Sequence, residues 1–108
     1  AFFNLMYDLA SSLGQDWDAI GKALKADPMI SNTYANPVHK SGRGAGGHCF
    51  IKDFAALRDV YERLNPQDAA GAAVLEAVER KNIGLLQASQ KDLDLLGGVY
   101  GPEVCEKK

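Results

Sequence analysis

The pattern LEAVERKNIGLLQASQKDLDLLGG, residues 75–98, is the longest amphipathic run in the chain. Its apolar and small polar side chains recur every three to four residues, which is the period of one helix face. This stripe consists of Leu75, Val78, Asn82, Leu85, Ser89, Leu93 and Leu96. With the residues that follow Asn65-Pro66, it predicts a helix of about 30 residues that ends at Gly97-Gly98.

A stripe of this length exceeds what a small domain can cover, so we expect the helix to pair with a second copy of the chain. Asn82 and Ser89 lie within the stripe. Polar residues in a helix-helix seam fix its register at a cost in stability. The sequence therefore predicts a homodimer through the helix from Leu75 to Leu96, and an ordinary core helix with two tolerated polar residues stays open as the alternative.

Shorter helices are predicted on both sides of a long loop. One helix face carries Phe2, Met6, Leu9 and Leu13, and Gly14 follows it as a stop. Asp16 is the candidate N-cap of a second helix that ends at Asp27-Pro28. Asp53 is the candidate N-cap of a third helix, and Asn65 caps the long helix, with Asp68 complementing its dipole.

Residues 28–47 show no periodicity. Structureless connections longer than about 12–15 residues usually have a function, so a binding role is expected here. Because no strand-like alternation extends beyond a few residues, the predicted fold class is all-α. We expect one helical domain over residues 1–98 and a linker or tail over residues 99–108.

Composition excludes several classes of protein. The chain has 108 residues, 46% of them hydrophobic, and a net charge of -2, which fits one soluble domain. It has neither a basic cluster for nucleic acid nor an apolar run of about 18 residues for a membrane span. Two cysteines form no disulfide framework, so a reducing cytoplasm is expected. Ala1 lies within a helical pattern, which we interpret as part of a longer protein.

The stretch GRGAGGHCFIKD, residues 42–53, contains most of the candidate chemistry. Its glycines let the backbone approach a ligand closely. Cys49 follows them, near His48, Lys52 and the expected helix start at Asp53, and a thiolate nucleophile is favoured in such surroundings. A small buried thiol is the alternative. Asp53 can act as a base or orient water as well as cap a helix.

Cofactor motifs within this stretch fail on context. Gly42, Gly44 and Gly47 match the dinucleotide spacing G-x-G-x-x-G, but no strand precedes them and the required acid, Glu62, belongs to a helix. A zinc site would draw on His39, His48, Cys49 and Cys105. Their spacing does not match usual zinc ligands, so no metal site is predicted. Lys40 and Arg43 are candidate phosphate contacts or solvated loop charges.

Residues 44–53, Gly-Ala-Gly-Gly-His-Cys-Phe-Ile-Lys-Asp, resemble the Gly-x-Gly-Gly-Ser-Cys-Phe-Pro-Lys-Asp signature of the UDP-glucose/GDP-mannose dehydrogenases. The segments at 4–18 and 27–30 resemble the same family's central domain. So does Glu-Ala-Val at 76–78 with Asn82 after it. The resemblance covers roughly residues 1–90.

The resemblance implies an NAD-dependent nucleotide-sugar 6-dehydrogenase, of the type that converts UDP-glucose to UDP-glucuronate. A separate Rossmann domain would bind NAD, and this helical domain would dimerise and carry the nucleophile. Cys49 would form a thiohemiacetal and then a thioester, with Asp53 and Lys52 as further catalytic residues. The implied substrate-binding residues are Gly44, Gly46, Gly47, Phe50 and Tyr34. The family's catalytic Lys and Asn are expected upstream of Ala1, so the isolated chain is predicted to be inactive.

Three residues depart from the family pattern. Met29 stands where an Arg commonly reaches the sugar nucleotide of the partner subunit, and His48 and Ile51 replace Ser and Pro. The substrate sugar is therefore open, and Lys40 or Arg43 is a hypothetical replacement for the missing charge. A helical homodimerisation module without the chemistry is the alternative function.

Overall fold

The computed structural model describes residues 2–30, 35–39, 41–47 and 49–105. These residues are mostly helical, which confirms the predicted fold class. The helices are α1 (Phe2–Ser12), α2 (Trp17–Lys25), α3 (Phe50–Leu64), α4 (Ala69–Ser89), α5 (Leu93–Tyr100) and a 3-10 helix (Pro102–Cys105). The strands are β1 (Val38–His39) and β2 (Gly42–Arg43).

Residues 1–40 form the first of two compact units. The stop after α1 is confirmed, because Gly14 has φ +69°, a conformation that favours glycine. The predicted cap of α2 is confirmed as well, since Asp16 Oδ1 accepts a hydrogen bond from the backbone N of Asp18 at 2.9 Å. α2 ends at Lys25, just before Asp27-Pro28, as predicted.

Apolar side chains of α1 and α2 line a groove of about 370 Å³ within this unit. The rings of Tyr7 and Trp17 lie 5.8 Å apart, and Trp17 is buried. Other large side chains of α1 stay exposed, among them Phe2 and Leu13. The first unit therefore keeps apolar surface outside its own packing.

Residues 41–108 form the second unit. Its core is made by Ile51, Leu86 and Leu96, which are at most 3% exposed. Ile83, Leu93, Leu95, Tyr100 and Val104 pack around it. The core thus joins the first turn of α3 to α4, α5 and the 3-10 helix, and it lies next to the start of α3.

The predicted 30-residue helix is in fact two helices. α4 ends at Ser89 and α5 begins at Leu93, because Gln90 and Asp92 have φ values of +54° and +52°. A left-handed residue ends a helix. No glycine marks this corner, so the sequence carried no conventional stop signal there.

Two predicted helix caps were wrong. Cys49, not Asp53, is the N-cap residue of α3, and Asp53 lies within the first turn. Likewise Asp68, not Asn65, caps α4: its Oδ1 accepts a hydrogen bond from the backbone N of Gly71 at 2.9 Å. The first difference matters for the site, because it places Cys49 itself at the N-terminal end of α3.

Ordered secondary structure continues beyond residue 98. Val99 and Tyr100 belong to α5, and the 3-10 helix follows at once. Tyr100 and Val104 pack against the core. Tyr100 and Val104 are therefore part of the second unit's packing, where the sequence had predicted a linker.

Glu79 joins three helices of the second unit. Its carboxylate is buried and accepts hydrogen bonds from Arg58 Nη1 at 2.6 Å and from the Tyr100 hydroxyl at 2.8 Å. The hydrogen bond to Glu79 raises the pKa of Arg58. Burial, and then the bond to Glu79, raise the pKa of Tyr100. A buried carboxylate is tolerated only when it is paired, so this network fixes α3, α4 and α5 against one another.

Acid should weaken the cap of α4. Hydrogen bonds from the Tyr61 hydroxyl and then from the Gly71 amide lower the pKa of Asp68 from its ordinary value of 3.8. The ionised cap therefore adds to the free energy of unfolding at pH values above 3.8. This contribution is lost as the pH falls through the lower pKa that Asp68 has in the folded chain. Asp68→Asn should therefore melt below wild type at neutral pH and approach it in acid.

Thermal melts followed by circular dichroism, from about pH 7 to about pH 3, would measure this difference. Tyr61→Phe should reduce the same pH dependence, because it removes the largest cause of the shift. A gap between wild type and Asp68→Asn that stays constant across this range would contradict the prediction.

Candidate active site

Cys49 lies at the N-cap of α3 with an exposed side chain. Its thiol makes no capping hydrogen bond to the described residues. The partial positive charge of a helix N-terminus favours an anion there, and the thiolate is the nucleophilic form of cysteine. The alternative of a small buried thiol is wrong, because the side chain of Cys49 is exposed.

Lys52 and Asp53 share the first turn of α3 with Cys49. Residues three and four apart are neighbours on a helix surface, so both lie beside the cysteine. Their side chains are 69% and 68% exposed, with Lys52 Nζ 3.9 Å from Asp53 Oδ1. Such a loose surface pair contributes little stability and leaves both groups able to turn toward a ligand.

Phe50 stands next to Cys49 and is half exposed. Its ring stacks on Phe54, with centroids 5.8 Å apart. Among the other expected site residues, Tyr34 lies outside the described residues, as do His48 and Lys40. The structure therefore brings Cys49, Phe50, Lys52 and Asp53 together in one helical turn.

The glycine loop, residues 42–47, packs tightly on α4 and on the corner after it. A Cβ at Gly42 would lie 2.4 Å from Ser89 Cβ, and one at Gly44 would lie 2.9 Å from Leu86 Cδ2. A Cβ at Gly46 would lie 2.0 Å from an oxygen of Asp92. Gly42 and Gly44 thus allow close packing of the loop on α4, and a side chain at Gly46 would displace the Asp92 carboxylate.

Gly47 differs from the other loop glycines. A Cβ there would meet no described atom within 4 Å, and its φ of +90° is the reason for glycine at this position. It lies two residues before Cys49. The loop is therefore packed on α4 at its first glycines and open beside the cysteine.

Four polar side chains bind the loop, and we call them the loop-binding cluster: Asn82, Ser89, Lys91 and Asp92. Ser89 Oγ accepts a hydrogen bond from the backbone N of Arg43 at 2.9 Å. Asp92 Oδ2 accepts one from the backbone N of Gly47 at 2.8 Å.

Asn82 bonds twice to a single residue of the loop. Its Oδ1 accepts from the backbone N of Ala45 at 2.6 Å, and its Nδ2 donates to the Ala45 carbonyl at 2.8 Å. Lys91 is buried, and its ammonium donates to the carbonyls of Gly44 at 2.9 Å and Gly42 at 3.4 Å. Loop backbone groups that would otherwise lack partners are thereby satisfied.

The polar residues of the long stripe therefore have partners within the chain. Asn82 and Ser89, expected in a seam between two copies, bind the glycine loop instead. Lys91 and Asp92 were not identified from the sequence, because they follow a helix end that the pattern did not reveal. The sequence correctly placed Asn82 and Ser89 on a contact face of the helix. The partner that they bind on this face is the glycine loop of the same chain.

Neither a metal site nor a membrane span is found in the described part of the chain. No group of three or more His, Cys, Asp or Glu side chains there is arranged to hold a metal ion. None of its helices is long and apolar enough to cross a bilayer.

The sequence of this chain matches the model of a known protein family. The model for the central domain of the UDP-glucose/GDP-mannose dehydrogenase family matches residues 1–83. The chain belongs to this family. The match includes the glycine loop, Cys49, Lys52, Asp53 and Asn82.

Individual members of the UDP-glucose/GDP-mannose dehydrogenase family are also similar. The UDP-glucose 6-dehydrogenase of Rickettsia bellii is 33% identical over 82 residues, which are 76% of this chain and 17% of that protein. The enzyme of the same name from Rickettsia felis is 32% identical over 82 residues, 76% of this chain and 16% of its own length. The chain thus spans about one sixth of these relatives. No solved structure matches.

Substitution of Gly44 by Ala should destabilise the second unit. The new Cβ would lie 2.9 Å from Leu86 Cδ2 and 3.2 Å from Leu85 Cβ, at a φ of +103°. Overpacking and backbone strain together should lower the free energy of unfolding by about 2 kcal/mol or more. Urea unfolding followed by circular dichroism measures this change.

Gly84→Ala is the matched control, since a Cβ on this residue of α4 would meet no described atom within 4 Å. The same substitution should here stabilise the helix by about 0.5–1 kcal/mol. Equal effects of the two variants would show that the loop does not pack on Leu86.

Proposed function

We propose that this chain is the central domain of an NAD-dependent nucleotide-sugar 6-dehydrogenase of the UDP-glucose type. Family membership supports the reaction class. The observation that carries the proposal is the exposed Cys49 at the N-cap of α3, with Lys52 and Asp53 in the same turn. A nucleophile, a cation and a carboxylate thus lie on one accessible surface.

The glycine loop does not fit an NAD site. The backbone N–H groups of Arg43, Ala45 and Gly47 are bound by side chains of the loop-binding cluster, and β2, which begins the loop, is only two residues long. We therefore assign NAD to a Rossmann domain outside this chain, where it would accept the hydride of each of two oxidations.

Cys49 would act at the aldehyde stage of the sugar's C6. Its thiolate would attack the aldehyde carbon, forming a carbon–sulfur bond and a thiohemiacetal. Loss of a hydride from that carbon to NAD, and of the hydroxyl proton to solvent, gives a thioester. Water then adds to the thioester and the carbon–sulfur bond breaks, which releases the carboxylate, the thiolate and two protons. Covalent attachment keeps the aldehyde from leaving between the two oxidations.

Lys52 and Asp53 would assist these steps. The Asp53 carboxylate, one turn after Cys49, would accept a proton from the water that attacks the thioester. The Lys52 ammonium would stabilise negative charge on sulfur or on the sugar's oxygen. Their exposure supports this proposal, because neither group is held by buried partners.

The proposed sugar contacts are Gly44, Gly46, Gly47, Phe50 and Tyr34. Gly47 is the best supported of them, since no described atom would touch a side chain there. That space lies two residues before the nucleophile. The half-exposed ring of Phe50 offers an apolar surface beside Cys49.

Replacement of Cys49 by Ser in the full-length enzyme should abolish formation of the sugar acid. A serine hydroxyl is a far weaker nucleophile than a thiolate, so the rate should fall by at least about 10³-fold. A panel of UDP- and GDP-sugars, with NADH absorbance and acid product as the readouts, identifies the substrate as well.

Cys105→Ser is the matched control and should retain the wild-type rate. The 108-residue chain alone should form no NADH with any sugar of the panel. Full conversion to the acid by Cys49→Ser would refute the thioester mechanism, and turnover by the isolated chain would refute the assignment of NAD to another domain.

We also propose that the chain forms a homodimer through α4. The stripe from Leu75 to Leu96 is partly used within the chain, since Leu85 and Leu96 are buried. Another face of α4 carries small exposed residues that permit close helix contact: Ala73, Ala77 and Ala88. Their spacing places them on one side of the helix.

Light scattering coupled to size exclusion should therefore give twice the chain mass of 11.6 kDa. Ala77→Arg should yield a monomer, because it places a long charged side chain in the contact. Ala56→Arg, the same change on an exposed position of α3, should leave the dimer intact. A monomeric wild-type chain would contradict this proposal and leave the proposed reaction untouched.

A further inference from the structure

Cys49 is held through its neighbours in the chain. Two residues before it, the Gly47 amide donates to Asp92. Two residues after it, Ile51 is 3% exposed and belongs to the core cluster. The thiol itself is exposed and makes no capping bond to the described residues, so its position depends on the two flanking contacts.

One face of α4 supplies most of this support. Asn82, Leu86 and Ser89 follow one another at spacings of four and three, which places them on the same side of the helix. Leu86 packs in one core with Ile51 and directly underlies Gly44. Asn82 and Ser89, on either side of Leu86, bind the loop.

The two bonds of Asn82 require a side-chain amide. Its oxygen faces the Ala45 N–H and its nitrogen faces the Ala45 carbonyl. A carboxylate at this position would keep the first bond but direct an acceptor at the carbonyl oxygen, because it has no hydrogen to donate. Asn82→Asp therefore breaks one bond and adds repulsion at nearly constant side-chain volume.

We propose that Asn82 and Asp92 are positioning residues for the nucleophile: they hold the glycine loop so that Cys49 stays at the N-terminus of α3. The inference rests on the proposed function of Cys49. It is nevertheless a statement about the thiol in the folded chain, which can be measured without a sugar or NAD.

The test is the rate at which iodoacetamide alkylates Cys49 in the folded 108-residue chain, on a Cys105→Ser background. Release of the loop leaves Cys49 held on one side only, by Ile51, so the thiol lies less of the time at the helix N-terminus and Asn82→Asp should lower the rate about two- to fivefold. Amide hydrogen exchange over residues 43–47 should accelerate about five- to tenfold, because the bonds to α4 are lost.

Asn36→Asp provides the same chemical change as a control. The Oδ1 atom of Asn36 accepts a hydrogen bond from the Val38 amide at 3.2 Å, and a carboxylate preserves that bond. In the Asn36→Asp variant, the alkylation rate of Cys49 and the amide hydrogen exchange of residues 43–47 should match those of wild type.

A second pair of variants separates positioning from stability. Asp92→Gly removes the acceptor for Gly47 and relieves the left-handed φ of +52°. Asp92→Asn keeps an acceptor and tolerates the same φ. The Gly variant should lose reactivity like Asn82→Asp, and the Asn variant should stay within about twofold of wild type.

Unchanged alkylation in Asp92→Gly, in a chain with a wild-type melting temperature, would overturn the inference. So would an equal loss in Asp92→Gly and Asp92→Asn, since the retained hydrogen bond would then be irrelevant. If Asn82→Asp does not fold, Asp92→Gly and Asp92→Asn alone test the proposal. A full-length Cys49→Ser enzyme that still forms acid would refute the catalytic role alone.

Discussion

The contact of Leu86 with the segments on both sides of the nucleophile is the constraint on which the second unit depends. Its side chain is fully buried, with Ile51 in the same core and the backbone of Gly44 above it. Protein interiors are close-packed, so a volume change at this point displaces one segment or the other. The helix that carries Leu86 is therefore the support of the candidate active site as well as the centre of the unit.

Polar groups on α4 and after it add hydrogen bonds to this apolar contact. Glu79 ties α3 and α5 to α4 through Arg58 and Tyr100, and the loop-binding cluster satisfies the backbone of the glycine loop. Among the described residues, no buried side-chain nitrogen or oxygen lacks a partner. Fully satisfied polar networks make an arrangement specific, because each alternative packing would leave buried groups unpaired.

Periodicity and capping residues predicted α1 and α2 well, and the signature at residues 44–53 located Cys49, Lys52 and Asp53 in one place. The cap of α3 was missed because aspartate is a preferred capping residue and cysteine is not. The corner after α4 was missed because Gln90 and Asp92 adopt left-handed angles without glycine. Periodicity identifies the face of a helix, but it does not identify what covers that face, so the partners of Asn82 and Ser89 were out of reach.

The bonds that shape the glycine loop join residues far apart in the chain. Asn82 lies 37 positions from Ala45, and Lys91 lies 47 positions from Gly44. Contacts of such separation must wait for chain closure, and synthesis proceeds from the N-terminus. On the ribosome, the cysteine therefore emerges well before the helix that orients it. The arrangement of the glycine loop around Cys49 therefore forms late in folding. A chain that stops before Asn82 contains the signature motif but lacks the residues that hold the loop.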